Sequence, residues 1–339
     1  MKSILGPEMK EERHVDVSVI VPVYNGGDQI ARCVEALKRQ KTALDYEIVV
    51  VDDGSDDGAT DKLIGDNVRI VKQARQGPAV ARNLGAEQSR GDVILFTDAD
   101  CEPLENWIEE MVRPFSGPGI SGVKGCYLSN QRELLARFVQ TEYECKYERM
   151  KKDHFIDFID TYSAAFLKKD FLAAGGYDPA FPFPSVEDQE FSFRMWAKGY
   201  KMVFNPNAKV YHTHARTIRH YVKKKFRIGY WKALVLRKHP EKILRDSHTP
   251  QTLKVEMIFA FLFLVSLPLL LINSKFLPLS GLSLSGFLLV ASWFFGKSFA
   301  KDPAVAIFSP LILFLRALSL GLGLISGAFA FRGVGRSGT

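Results

Sequence analysis

"VILFTDADCEPL", residues 93–104, joins an apolar run to two acids one residue apart. Val93 to Phe96 reads as a strand buried on both faces, the pattern of a parallel sheet. Such a strand delivers the residues at its end to the carboxyl edge of the sheet, where ligands bind. With the strand continued through the acids, Asp98 and Asp100 share one face and aim their oxygens at one point. Like charges so placed repel unless a cation neutralises them. A hard divalent ion, Mg²⁺ or Mn²⁺, suits oxygen ligands. The alternative is a loop whose acids cap a helix around Leu104 to Val112.

Outward from this stretch the first 130 residues alternate strand and helix. "VSVIVPVYN" (17–25), "YEIVVVDDGS" (46–55), "NVRIVKQ" (67–73) and "DVILFTDAD" (92–100) read as strands. Helical patterns cover Asp28 to Arg39 and "GPAVARNLGAEQSRG" (77–91). This spacing implies βαβ units and an α/β fold with a mostly parallel, doubly covered sheet. A second strand also ends in acids, Asp52-Asp53. Beyond Gly122 the pattern is mixed, with "GVKGCYL" as a strand and Arg132 to Lys152 as a helix.

Charge is uneven. Arg216 to Asp246 holds eleven Lys or Arg against Glu241 and Asp246, within a 339-residue chain whose formal charge is +7. The remainder is therefore slightly acidic. Cys33, Cys101, Cys126 and Cys145 form no C-x-x-C pair, which fits a reducing compartment and no zinc site. The first residues, "MKSILGPEMKEERHVD", hold no apolar core long enough for a signal peptide, so the strand–helix region is expected in the cytosol. Met257 to Ile272, Phe276 to Gly296 and Ala304 to Phe331 are apolar, the last interrupted by Arg316. The second alone suffices for a bilayer core of about 30 Å. A membrane-embedded C-terminal region is expected.

Neither G-x-G-x-x-G after the first strand nor G-x-x-x-x-G-K-[ST] is present, which removes dinucleotide-fingerprint and P-loop readings. A nucleotide held through a metal remains. "VSVIVPVYNGG", "VVVDDGSDDGATD", "GPAVARNLGAEQSRGDVILFTDAD", "AAFLKKDFLAAGGYDPAF" and "EDQEFSFRMWAKGY" occur in that order. Together they resemble the family 2 glycosyltransferases, inverting nucleotide-sugar enzymes of the GT-A fold, over residues 17–230.

The resemblance implies a nucleotide-sugar site built from Pro22, Tyr24, Asn25, Asp53, Arg82, Asp98 and Ala99. Asp52 is expected to be structural or ribose-facing, and Asn83 to help order the pocket. Asp98-Ala99-Asp100 matches the D-x-D that holds a divalent ion, with Asp100 the direct ligand. Asp188, beside Glu187, matches the catalytic base that deprotonates an acceptor hydroxyl. His212, with His214 as the alternative, matches a third metal ligand, and an imidazole favours Mn²⁺ over Mg²⁺. On the residues alone Glu187-Asp188 reads first as a helix cap, and the other motifs turn the reading to the base. No Q-x-x-R-W comes after Asp188, which argues against processive synthesis, and "TYSAAF" lacks the Asn that relatives carry.

"HYVKKKFRIGYWKALVLRKH" (220–239) mixes cations with aromatics. Its place before the apolar segments favours anionic membrane lipids over nucleic acid, which is not expected as a partner. The expected organisation is a tail (1–15), a GT-A domain (16–215), a basic amphipathic juxtamembrane segment (216–254), a membrane region (255–332, with segments 255–272, 276–296 and 304–331) and a tail (333–339). Three crossings, or a hairpin plus an interfacial third segment with Arg316 snorkelling, both remain open.

The expected activity is metal-dependent, inverting hexosyl transfer from a nucleotide-sugar, a UDP-sugar first, to a hydroxyl of a lipid-linked or envelope glycan. The enzyme is expected as a multi-pass protein of the cell membrane with its catalytic domain in the cytoplasm. A polyprenyl-phosphate glycosyl synthase is the alternative, and a non-catalytic membrane scaffold the third reading.

Overall fold

The computed structural model describes residues 14–243 and 249–333. Most of both expected tails therefore lies outside the described residues. In chain order the elements begin with β1 (Val17–Val23), α1 (Gly27–Lys38), β2 (Tyr46–Asp52), β3 (Val68–Lys72) and α2 (Pro78–Gln88). Then come β4 (Val93–Phe96), β5 (Cys101–Pro103), α3 (Trp107–Val112), β6 (Ile120–Leu128) and α4 (Leu134–Met150). β7 (Ala164–Leu167), α5 (Lys168–Ala174), α6 (Glu187–Ala197) and β8 (Lys201–His212) complete the sheet region. Four long helices come last: α7 (Ile218–Lys238), α8 (Gln251–Ile272), α9 (Leu277–Phe299) and α10 (Pro303–Ala330).

The strands form one sheet in the order β3-β2-β1-β4-β7-β6-β8-β5. The β3-β2-β1-β4 half is parallel, and β7 turns the sheet antiparallel against both β4 and β6. Alternation along the strands sorts the core into two layers. Val17, Val19, Val21 and Val23 face α1 and α3, whereas Ile20, Val49, Val51, Ile94 and Phe96 face α2, α5 and α6. This is the doubly covered sheet that the apolar runs predict.

One expectation fails at the opening stretch. β4 stops at Phe96, so Asp98 and Asp100 do not share a strand face. The backbone turns instead, closed by the Cys101 N–H donating to the Asp98 carbonyl at 3.0 Å. Cys101–Pro103 then leaves to pair with the end of β8. Nor do the acids cap the next helix, which starts at Trp107 behind Asn106.

The basic segment does not end as a free amphipathic strip. α7 lies against α10 along a seam where a methyl added at Gly323, Gly327 or Gly229 would run into the carbonyl of Phe226, Tyr230 or Leu320. Gly323 and Gly327 form a G-x-x-x-G, the spacing that lets apolar helices approach backbone to backbone. Arg316 does not snorkel. It is buried in mid-helix and paired with Glu142 on α4 and Glu256 on α8. A buried guanidinium needs such partners more than it needs water at the end of a long reach.

α8, α10 and the stretch from Ser274 to Phe299 are each long and apolar enough to cross a membrane. Gly327→Leu should lower detergent-solubilised stability by at least the ~1–3 kcal/mol of an overpacked contact. Gly296→Leu, on α9 with nothing within 4 Å of an added methyl, should leave it nearly unchanged. Thermal unfolding of the two variants side by side checks this.

Candidate active site

The β5–β8 register sets Cys101 opposite His212, which brings the His212 imidazole to the acid next door. His212 Nε2 lies 3.4 Å from Asp100 Oδ2. Asp98, Asp100 and Cys101 hold ligand-type atoms within 4.8 Å of one another. Burial and the two neighbouring carboxylates push the Cys101 thiol far up, so it stays protonated and the donors on offer are oxygen and imidazole nitrogen. Burial also pushes the Asp100 carboxyl up, but His212 and the charge of Lys224 on α7 outweigh it and hold it below the usual range.

A hydrogen-bond chain sets the His212 tautomer. The Gln140 amide nitrogen donates to the Tyr127 carbonyl at 3.3 Å, which turns its Oε1 toward His214 Nε2 at 2.9 Å. Burial, then the charges of His212 and Lys224, push His214 down to about 3, so it is neutral with one ring proton. That proton belongs on Nε2, and His214 Nδ1 becomes an acceptor for His212 Nδ1–H at 3.3 Å. His212 Nε2 is left facing the Asp100 carboxylate as its hydrogen-bond partner. Tyr127 stacks on His212 at 4.4 Å and Tyr143 on His214 at 5.7 Å, fixing both rings.

Arg82 connects this cluster to the start of α6. Its Nη2 donates to Asp98 Oδ1 at 2.7 Å and its Nη1 to Glu187 Oε1 at 3.1 Å, with the guanidinium buried. Glu187 also accepts from the Ser185 N–H at 2.8 Å. Both its oxygens are thus occupied. Among the described residues the Asp188 carboxylate accepts only from the Gln189 N–H, at 2.7 Å. Burial and the adjacent Glu187 charge raise the Asp188 carboxyl to about 7.

The remaining expected residues lie on the β1 and β2 ends. Asp53 accepts from Gln73 Nε2, Gln76 N and Gly77 N at 2.6–2.8 Å, which ties β2 to the entry of α2. Asp52 accepts from Thr60 and Ser55, and Asn83 bonds the backbone of Tyr177. Asn25, in the left-handed region at φ 50°, accepts from Asp56 N through Oδ1. Tyr24 is exposed beneath the Arg75 guanidinium, 3.8 Å from the ring centroid. Pro22 sits within β1 opposite Val51, and Ala99 in the turn between the two acids.

Sequence reasoning missed three contributors. Arg75 carried no motif signal. Gln140 lies in an ordinary helical pattern. Lys124 did offer one, as a lone cation inside the apolar strand "GVKGCYL". It is fully buried, paired with Asp160 and 3.3 Å from the Tyr162 hydroxyl, and burial pulls it down to about 7 against the pull of Asp188.

Residues 18–176 match the family described as Glycosyl transferase family 2. They are a family 2 glycosyltransferase domain. Glycosyltransferase AglE of Haloferax volcanii is 40% identical over 116 residues, covering 32% of this chain and 38% of that protein. The uncharacterized glycosyltransferase YibD of Escherichia coli K12 is 40% identical over 102 residues, covering 28% and 29%. The chain thus spans well under half the length of these curated relatives. Mannosyltransferase PcManGT of Pyrobaculum calidifontis, solved with GDP-Man and Mn²⁺, superposes with a TM-score of 0.55 at 20% identity, over 91% of this chain and 88% of that one. That likeness is one of fold, and the fold is GT-A.

Within the glycosyltransferase domain Arg82 is the residue with most to lose. Arg82→Gln leaves Asp98 and Glu187 without their shared cation, a loss of about 3–5 kcal/mol for a broken buried pair. A fall in Tm of roughly 10 °C is expected by thermal unfolding.

Proposed function

We propose that the chain is a membrane-bound, inverting glycosyltransferase that moves a sugar from a nucleoside-diphosphate sugar to a hydroxyl of a lipid-linked or envelope glycan. The observation that carries this is the division of labour across Arg82. Glu187 and Asp98 are held by the guanidinium, while Asp188 keeps a free oxygen and titrates near neutrality.

Asp188 then acts as the base. An acceptor hydroxyl donates to its carboxylate, loses its proton as the oxygen attacks, and displaces the nucleoside diphosphate in line, which inverts the sugar carbon. Glu187 positions Asp188 while its own carboxyl pairs with Arg82. On the other side of Arg82, Asp100, His212 and Asp98 fit a divalent cation, because an imidazole nitrogen and a carboxylate held below its usual range already converge there. Such an ion, Mn²⁺ before Mg²⁺ with an imidazole in the set, would supply Lewis-acid neutralisation of charge on the leaving diphosphate. Tyr24, Asn25, Pro22, Asp53 and Ala99 would line the nucleoside end, with Arg75 added to them. α7 begins at Ile218, just past His214, and packs on α10, which supports an acceptor delivered from a membrane, while the basic residues of α7 favour the cytoplasmic side.

Thermal shift of the solubilised chain with UDP, GDP, dTDP or CMP, each with and without Mn²⁺, tests the donor site. One nucleotide should stabilise by about 2.7 kcal/mol at 100 times its Kd. The shift should need Mn²⁺ and vanish in Asp100→Ala. Mn²⁺ affinity read by electron paramagnetic resonance should fall about 10–100-fold in His214→Ala, through loss of the His212 tautomer. No shift with any nucleotide would favour a scaffold.

The base has its own signature. Asp188 must be deprotonated to act, so kcat/KM should rise with pH through about 7 and level off above it. Asp188→Asn should remove that rise and lower kcat by about 10²–10⁴. A mild effect would point to a phosphate acceptor, which is ionised already and needs no base.

A further inference from the structure

Three helices satisfy the length and hydropathy of a membrane span, yet they relate to the catalytic domain in two different ways. α8 and α9 form a hairpin whose tip is bare. Leu271 and Ile272 are 90% and 78% exposed, Leu277 is 64% exposed, and the stretch between them packs on α8 and α9. α10 has no bare end. At its start Asp302 pairs with Arg137 of α4 at 3.3 Å. In its middle Arg316 pairs with Glu142 of α4, and the glycine seam then binds it to α7. At its far end Phe331 packs on Tyr230 and Trp231 at 5.1 and 5.3 Å, and Trp231 in turn on Phe181 of the catalytic domain at 5.7 Å. Arg237 donates to the Arg332 carbonyl at 2.9 Å.

A 28-residue helix rises about 42 Å. Crossing a core of about 30 Å would carry one end of it away from a domain that stays in water. Both ends of α10 are instead fastened to elements of that domain. Its exposed apolar residues, Ile307, Leu311, Leu322, Ile325 and Phe329, lie on one stripe at helical spacing, and buried residues such as Ser309, Ile312, Arg316 and Gly323 lie on the other side. Lys223, Lys224 and Arg227 are exposed on the neighbouring α7, a charge that suits anionic headgroups at about 1 kcal/mol each.

We infer that only α8 and α9 cross the bilayer, and that α10 lies along its surface beside α7, with its apolar stripe in the hydrocarbon and Arg332 on the catalytic side. This rests on the membrane-bound reading above and deepens it. The occupant of the apolar faces is lipid. The α7–α10 pair is a platform that holds the catalytic site at headgroup level, with the α8–α9 hairpin as its anchor.

The four native cysteines are buried, so introduced thiols can be read against a silent background. The full chain carries Lys62→Cys in the catalytic domain, Lys275→Cys at the hairpin tip, or Gly333→Cys past α10. Each is treated in intact host cells with a membrane-impermeant maleimide, and again after permeabilisation. Position 275 should label in intact cells, and positions 62 and 333 only after permeabilisation. If 62 and 333 label from outside and 275 does not, the surface position of α10 still stands and the cytoplasmic orientation falls. Position 333 labelling with 275 against 62 would make α10 a third crossing and overturn the inference. Position 275 labelling together with 62 and 333 would mean that the hairpin does not cross, and overturns it too. Release of the chain by alkaline carbonate would show the apolar faces covered by protein, a second copy included, and would equally overturn it.

Discussion

A guanidinium sealed from water between two carboxylates is tolerable only while both are present, and each carboxylate is tolerable only because of it. Arg82 is in that position, between Asp98 from the end of β4 and Glu187 from the start of α6. These segments are distant in sequence, one at a strand end and the other in the helix layer that also holds α2. Their charges therefore fix the spacing between the acid turn and the α6 entry. Folding the turn, the helix start and α2 into one electrostatic unit is what leaves Asp100 and Asp188 outside the Arg82 pairing.

Division of roles within adjacent acid pairs stems from that unit. Asp52 and Asp53 accept from backbone, hydroxyl and amide donors, and hold the loops after β1 and β2 in place. Glu187 and Asp188 differ by one residue and by environment: one meets a buried cation, the other meets its neighbour's charge in a poorly solvated corner. Local dielectric and partner, more than residue type, decide which carboxyl titrates near neutrality.

Much of the sheet was legible because β1, β2 and β4 are apolar runs long enough to be covered on both faces, and because period-2 alternation sorts their residues between layers. The end of β4 was not legible. Asp98 looks like a strand residue by spacing, and only the pairing of Cys101 with the far end of β8 makes the chain turn there. Charged residues that depend on distant partners were the hardest to read. Arg316 in an apolar stretch suggests a side chain reaching for water, whereas its partners Glu142 and Glu256 sit in other helices. Lys124 was visible as an anomaly, but its partner Asp160 was not. The Gln140–His214–His212 chain joins α4 to the end of β8, and no local pattern announces such a link.

The shared core of α4, α7, α8, α9 and α10 makes the boundary between the glycosyltransferase domain and the apolar helices a poor place to cut. Phe138 and Tyr221 are covered by residues of α9 and α10, and Glu142 meets its arginine only there. A fragment stopped before α8 would keep every motif of the glycosyltransferase domain. It would also present to water a freshly bared apolar wall and a carboxylate stripped of its arginine. The domain that the motifs outline is thus smaller than the unit that folds.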